Sequence, residues 1–279
     1  GVTLTSTSAV YPAFAVSGIA AYSYNVTIQN CTNGAEIVLN STDATLSGSA
    51  AGIVATKNGV GSVVNIKDCV NTGNIRIKGI GGKHSAGGIA GTGGASLSKM
   101  YIENSYSLGN IYSECESSSI SGVAGNATHI SNSYWYGESL SNENWEGSIA
   151  GITANEETVM ENCYYGIKSA KRYNAQEGSE ETDGITDPFD GKGATKLTAR
   201  EFEAGKAAYL LDGGMPDGSG GVRMSKWSQD FGKGHPILKS GEPVYMITVS
   251  SEGGSVGIAD RSFIETEDDK AEYFEISGQ

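Results

Sequence analysis

The feature that most limits what this chain can fold into is a short phrase: an aliphatic residue, any residue, Asn or Asp, then Cys or Ser. It recurs five times in constant order, as Ile28-Gln29-Asn30-Cys31, Ile66-Lys67-Asp68-Cys69, Ile102-Glu103-Asn104-Ser105, Ile130-Ser131-Asn132-Ser133 and Met160-Glu161-Asn162-Cys163. A unit of this size cannot bury its own apolar side, so a repeat of this kind gains a core by stacking on its neighbours. Ahead of each phrase stands a small-residue element centred on Ile or Val: Gly18-Ile19-Ala20, Gly52-Ile53-Val54-Ala55, Gly88-Ile89-Ala90-Gly91, Gly122-Val123-Ala124-Gly125 and Ser148-Ile149-Ala150-Gly151. Behind it comes a glycine (Gly34, Gly73, Gly109, Gly137, Gly166) and, in the early copies, an aliphatic strand: Ile37-Val38-Leu39, Ile75-Arg76-Ile77 or Ile111-Tyr112. The fourth and fifth copies are shorter and read as lacking that strand.

Ile and Val number 22 and 16 against 10 Leu, a bias toward side chains that suit a pleated surface. The expected fold is all-β: a parallel β-helix (β-solenoid) of about five coils, with strands of successive repeats paired at ~4.8 Å. In this reading many of the 40 glycines recur at fixed places, taking corners that need φ > 0 or flanking the small inward strand, and Asn30, Asp68, Asn104, Asn132 and Asn162 form a column bonded to turn backbone or to one another. Cys31, Cys69 and Cys163 share an inward column with Ser105 and Ser133, while Cys115 is out of register. Cys31 and Cys69 are near enough to bridge, but stacked buried thiols are the simpler reading.

After that column come Thr32, Val70, Tyr106, Tyr134 and Tyr164, with Trp135, Tyr136 and Tyr165 close by. Tyr106, Tyr134, Trp135, Tyr164 and Tyr165 are therefore the candidate ligand-contact residues, able to stack on sugars or grip a protein partner if exposed. The competing reading has them packing ring on ring within the fold.

Composition changes near residue 167. Before it lie 6 basic and 12 acidic residues, after it 13 and 20, and all four cysteines precede it. The expected organisation is a solenoid over 1–166, a linker and capping segment over 167–243, and a small β module over 244–279. The capping segment carries one helix at about 198–211, with Thr198 and Glu201 as a capping box and Leu197 and Phe202 as a hydrophobic staple. It is expected to cover an open end of the solenoid. Strands are expected at Val244–Val249, Ser255–Ile258, Ser262–Thr266 and Glu272–Ile276.

Gly87-Gly88-Ile89-Ala90-Gly91, followed by Ile102-Glu103-Asn104-Ser105-Tyr106-Ser107-Leu108-Gly109-Asn110-Ile111, resembles the GLUG repeat of bacterial surface proteins, over roughly residues 15 to 166. That resemblance implies a right-handed parallel β-helix, extracellular placement in a secreted or wall-attached protein, and a scaffolding or adhesive role with no catalytic residue to transfer. The tail weakly resembles the short β repeats of internalin-like surface proteins.

A net charge of -13 with no basic run excludes a nucleic-acid partner, and no apolar stretch is long enough to insert in a membrane. The chain opens on Gly1 and reads as an excised or processed fragment, expected to be monomeric. No spacing suggests zinc, and the acids Asp183, Asp187 and Asp190 fit no calcium loop, so no cofactor is expected. Gly253-Gly254-Ser255-Val256-Gly257 matches a nucleophile elbow without the helix or later His it requires. Asn71-Thr72-Gly73 with Arg76-Ile77-Lys78 superficially resembles two motifs of β-helix polysaccharide hydrolases, but without the paired aspartates. The leading expectation is a non-enzymatic surface module in contact with host protein or glycan. A carbohydrate-binding module attached to an enzyme and a β-helix hydrolase or lyase are the alternatives.

Overall fold

A computed structural model describes residues 1–6, 13–42, 47–57, 59–79, 83–92, 97–115, 118–142, 148–153, 155–166, 169–174, 179–182, 192–213, 225–230, 233–241, 244–247, 262–264 and 272–274. The chain is mostly strand and divides into two compact units, Gly1–Lys196 and Leu197–Gln279.

In the first unit five sheets each draw one strand from successive repeats, in sequence order and almost wholly parallel. The phrase strands Val26–Gln29, Val63–Lys67, Lys99–Glu103, His129–Ser131 and Val159–Glu161 make one sheet. Within it Ile28, Ile66, Ile102, Ile130 and Met160 lie in register and are buried. The aliphatic strands pair Ile37 with Ile75 and Ile75 with Ile111, also buried. These columns belong to one continuous apolar core.

The corner that recurs in every repeat is made by the Asn/Asp column rather than by glycine, and glycines hold positive φ elsewhere, as at Gly59 and Gly61. Asn30, Asp68, Asn104, Asn132 and Asn162 have φ of 55°, 53°, 47°, 44° and 53°, the left-handed region that Asn and Asp tolerate best among non-glycine residues. Side-chain bonding within that column is seen where Asn162 Nδ2 donates to Asn132 Oδ1 at 2.8 Å. The recurring glycines serve close approach instead. A Cβ on Gly88 would lie 2.2 Å from the Gly122 carbonyl oxygen and 2.3 Å from Ser107 Oγ.

The Cys/Ser column has a shared chemistry. Ser105 Oγ donates to Glu103 O at 2.9 Å and accepts the Cys69 N–H at 3.1 Å, and Ser133 Oγ repeats both bonds with Ser131 O and Ser105 N–H. Cys69 Sγ donates to Lys67 O at 3.1 Å in the same way. The position thus asks for a small buried donor, which either residue supplies. All four cysteines are free. Burial pushes the Cys69 thiol up to about 11.

Three further expectations for the first unit are corrected. The Gly-Ile elements are bends rather than strands: Gly52 and Ile53 join Ser47–Ala51 to Val54–Lys57, and Ile53 turns inward with its N–H on Ile89 O. The fifth bend is Gly151-Ile152, because Ile149 pairs with Ile120 whereas Val123 N–H bonds Ile152 O. The third strand persists in the late copies, as Ser139–Asn142 and Ser169–Asn174, since backbone pairing to the preceding strand does not depend on β-branched side chains. Within the stretch expected as a linker, Ser169–Asn174 and Ala194–Lys196 each add a strand to an existing sheet.

In the second unit the expected single helix is two. α1 (Ala199–Glu203) begins with the Thr198/Glu201 capping box, and α2 (Lys206–Leu211) follows Gly205 at φ 86°, a left-handed residue that breaks the helical run. Ala204, Ala208, Tyr209 and Val244 form an apolar cluster. Asp212 Oδ1 accepts the N–H groups of Lys226 and Trp227, tying α2 to the hairpin of Ser225–Ser228 with Ile237–Gly241. Tyr245–Ile247, Ser262–Ile264 and Glu272–Phe274 form a three-stranded sheet. The expected Ser255–Ile258 strand lies outside the described residues. No helix among the described residues is long and apolar enough to cross a membrane.

Candidate functional site

The aromatic residues singled out in sequence come together as a column, but an interior one. Tyr106 and Tyr134 stack with ring centres 4.8 Å apart and planes within 5°. Tyr134 and Trp135 have no exposed surface, and Tyr106, Tyr164 and Tyr165 are buried too. Trp135 Nε1 donates to Gly109 O at 3.1 Å, Tyr164 Oη donates to Asn162 Oδ1, and Tyr165 lies where a Cβ on Gly151 would be. Burial raises the Tyr164 hydroxyl to about 12 and the Tyr134 hydroxyl well above its ordinary value. The strip therefore offers no open face to a ligand. Its polar forerunners, Asn33, Asn71 and Ser107, form a ladder in the same register, with Asn33 Nδ2 on Asn71 Oδ1 at 2.8 Å and Asn71 Nδ2 on Ser107 Oγ at 3.2 Å.

An open site lies elsewhere in the first unit, beside the Gly-Ile bend. There Ala13–Ser17, Ser47–Ala51, His84–Gly87 and Ser118–Ser121 face the strands Ala20–Ser23, Val54–Lys57 and Ala90–Thr92 of the next sheet. Small residues let the two sheets close on each other. Ala15, Ala21, Ala51 and Ala55 cluster between them, Ser49 Oγ donates to Ala55 O at 2.6 Å, and the same oxygen accepts the Thr92 N–H at 3.0 Å. Where they part, a groove of about 490 Å³ opens, within the usual range for a ligand site.

Four consecutive repeats contribute to this groove. Ser49, Ser85 and Ser119 are neighbours in one parallel register, and Tyr22 and Thr56 in another, continuing to Thr92. Asn126 adds an amide and Lys57 and Lys83 add ammonium groups. Tyr22 is 52% exposed. Phe14 and the buried His84 meet edge-to-face at 6.2 Å across Gly48, where a Cβ would stand 3.0 Å from His84 Nδ1. Lys57 is only 5% exposed, and its Nζ donates to Ser98 O at 2.6 Å. Burial lowers its pKa.

Hydroxyls, an amide, two amines and an open ring can bind and orient a polar, ring-bearing chain. Among the described residues the groove lining has no Asp or Glu, and no group of His, Cys, Asp and Glu could hold a metal. Asn71 and Arg76, the hydrolase-like residues, serve structure: Asn71 is in the buried ladder, and Arg76 sits 3.4 Å from Glu114 and over the Tyr112 ring. Asp183, Asp187, Asp190 and the elbow at 253–257 lie outside the described residues. Sequence reasoning missed the groove, whose only signal was the recurrence of Ser49, Ser85 and Ser119 at repeat spacing. Comparisons with protein-family models, curated proteins and solved structures find no match to this chain.

Proposed function

We propose that this chain is a non-enzymatic structural and adhesive module of an extracellular bacterial surface protein, folded over its first unit as a GLUG-like parallel β-solenoid and contacting glycan through its groove. The observation that carries this reading is the groove itself. It is built where two in-register parallel sheets part, so its lining positions are fixed largely by backbone pairing, the preorganisation that lowers the cost of binding. Its described lining supplies donors and acceptors but not the two flanking carboxylates that glycoside hydrolysis uses. The resemblance of residues 15 to 166 to the GLUG repeat supports a secreted or wall-attached location.

The test is a glycan array run beside a polysaccharide-cleavage assay on the whole chain. Binding that Tyr22→Ala weakens, with no new reducing ends, is the expected result. Release of reducing ends would overturn the non-enzymatic reading, and a blank array would overturn the glycan-contacting one. The same groove is compatible with a carbohydrate-binding module serving an enzyme elsewhere in a longer protein, which would show an enzyme domain in the parent reading frame.

A further inference from the structure

We propose that the groove accommodates a stretch of an anionic polysaccharide laid along the stacking direction, with Lys57 and Lys83 facing its charges and the ring of Tyr22 facing a sugar. This rests on the glycan-contacting reading above and narrows it to a ligand class.

Two observations point to an anion. The chain as a whole carries a net charge of -13, yet the described groove lining holds two lysines and no carboxylate. The groove is thus a local reversal of the molecule's charge, and a ligand drawn there is drawn by its walls. Lys57 is the stronger indication. Its side chain is almost wholly buried, its ammonium is bonded to one backbone carbonyl, and among the described residues it has no ion-pair partner. A buried cation without a counter-ion is costly, and an ammonium has three donors, so an incoming carboxylate or sulfate would supply both the missing charge and an acceptor.

Two further observations point to a chain rather than a small ion. Lining residues come from four stacked repeats, and three strand spacings span ~14 Å. Lining positions recur along that line at the strand interval, Ser49, Ser85 and Ser119 in one register and Tyr22, Thr56 and Thr92 in another. Tyr22 stands open at one end of the span with its ring available for stacking.

The test is calorimetric titration of the whole chain with polygalacturonate, heparin and neutral dextran, the first two separating carboxylate from sulfate as the charge recognised. The expected result is binding of at least one anionic chain, weakening with salt, and none of dextran. Lys83→Gln and Tyr22→Ala should each lower that affinity about tenfold. Lys57→Met should do the same, and the exposed Lys83 carries the test if Lys57→Met alters the melting temperature. Dextran bound as tightly as the anionic chains, sensitive to Tyr22→Ala but not to Lys83→Gln, would overturn the charge selection and leave a glycan groove standing. Failure of both anionic chains would also overturn this proposal, whereas the glycan-contacting reading falls only with a blank array.

Discussion

Within one repeat two residue types do different jobs that the composition alone would merge. Asn104 at φ 47° holds a left-handed conformation, so its cost of replacement is conformational. Gly88 is needed because a Cβ would collide with a backbone oxygen at 2.2 Å that has nowhere to go. Replacing Asn104 by Ala should cost ~1–2 kcal/mol, and by Gly distinctly less. Gly88→Ala should cost about 3 kcal/mol or more, since the strands themselves must separate. Urea unfolding of the three variants checks the order, and a Gly88→Ala midpoint equal to that of the parent would contradict the close packing.

Among the elements, α1 shows how one side chain couples a helix to pH. Burial acts to raise the Glu201 pKa, but the Thr198 N–H at 2.7 Å, the Lys206 ammonium at 2.9 Å and the Thr198 hydroxyl outweigh it and hold the carboxyl below its ordinary value. A carboxylate with a depressed folded-state pKa stabilises above its unfolded value and loses that contribution as the pH falls through the folded one. An NMR titration should therefore place the Glu201 midpoint below the ordinary ~4.3, and Thr198→Ala should raise it. A midpoint at or above the ordinary value would contradict the capping box. Such local rules were legible in sequence, because a Thr and a Glu three apart before an apolar run need no tertiary knowledge. The strand registers around Ile66 and Ile102 were legible for a like reason: the phrase repeats intact. The fifth bend was not, because Ser148-Ile149-Ala150-Gly151 imitates a bend three residues early and only backbone pairing tells Ile149 from Ile152. Nor could the facing of Tyr134 or the meeting of Ser49 with Thr92 be read, since both depend on how two sheets lie against each other.

For the first unit as a whole, both the core columns and the groove depend on parallel, in-register stacking of repeats far apart in sequence. Thr27, Asn65, Tyr101, His129 and Val159 follow one another in a single register, as do Gln29, Lys67, Glu103, Ser131 and Glu161. Thr27 and Val159 are exposed at the two ends of their line, as are Gln29 and Glu161 of theirs. Spin labels at Thr27 with Val159, and separately at Gln29 with Glu161, report that spacing by pulsed electron–electron resonance. Four strand intervals predict ~19 Å for the backbone separation in each pair, and nearly equal distances in the two pairs. Distances that differ between the pairs by more than one strand spacing, or that exceed ~30 Å, would contradict the stack and the groove built on it.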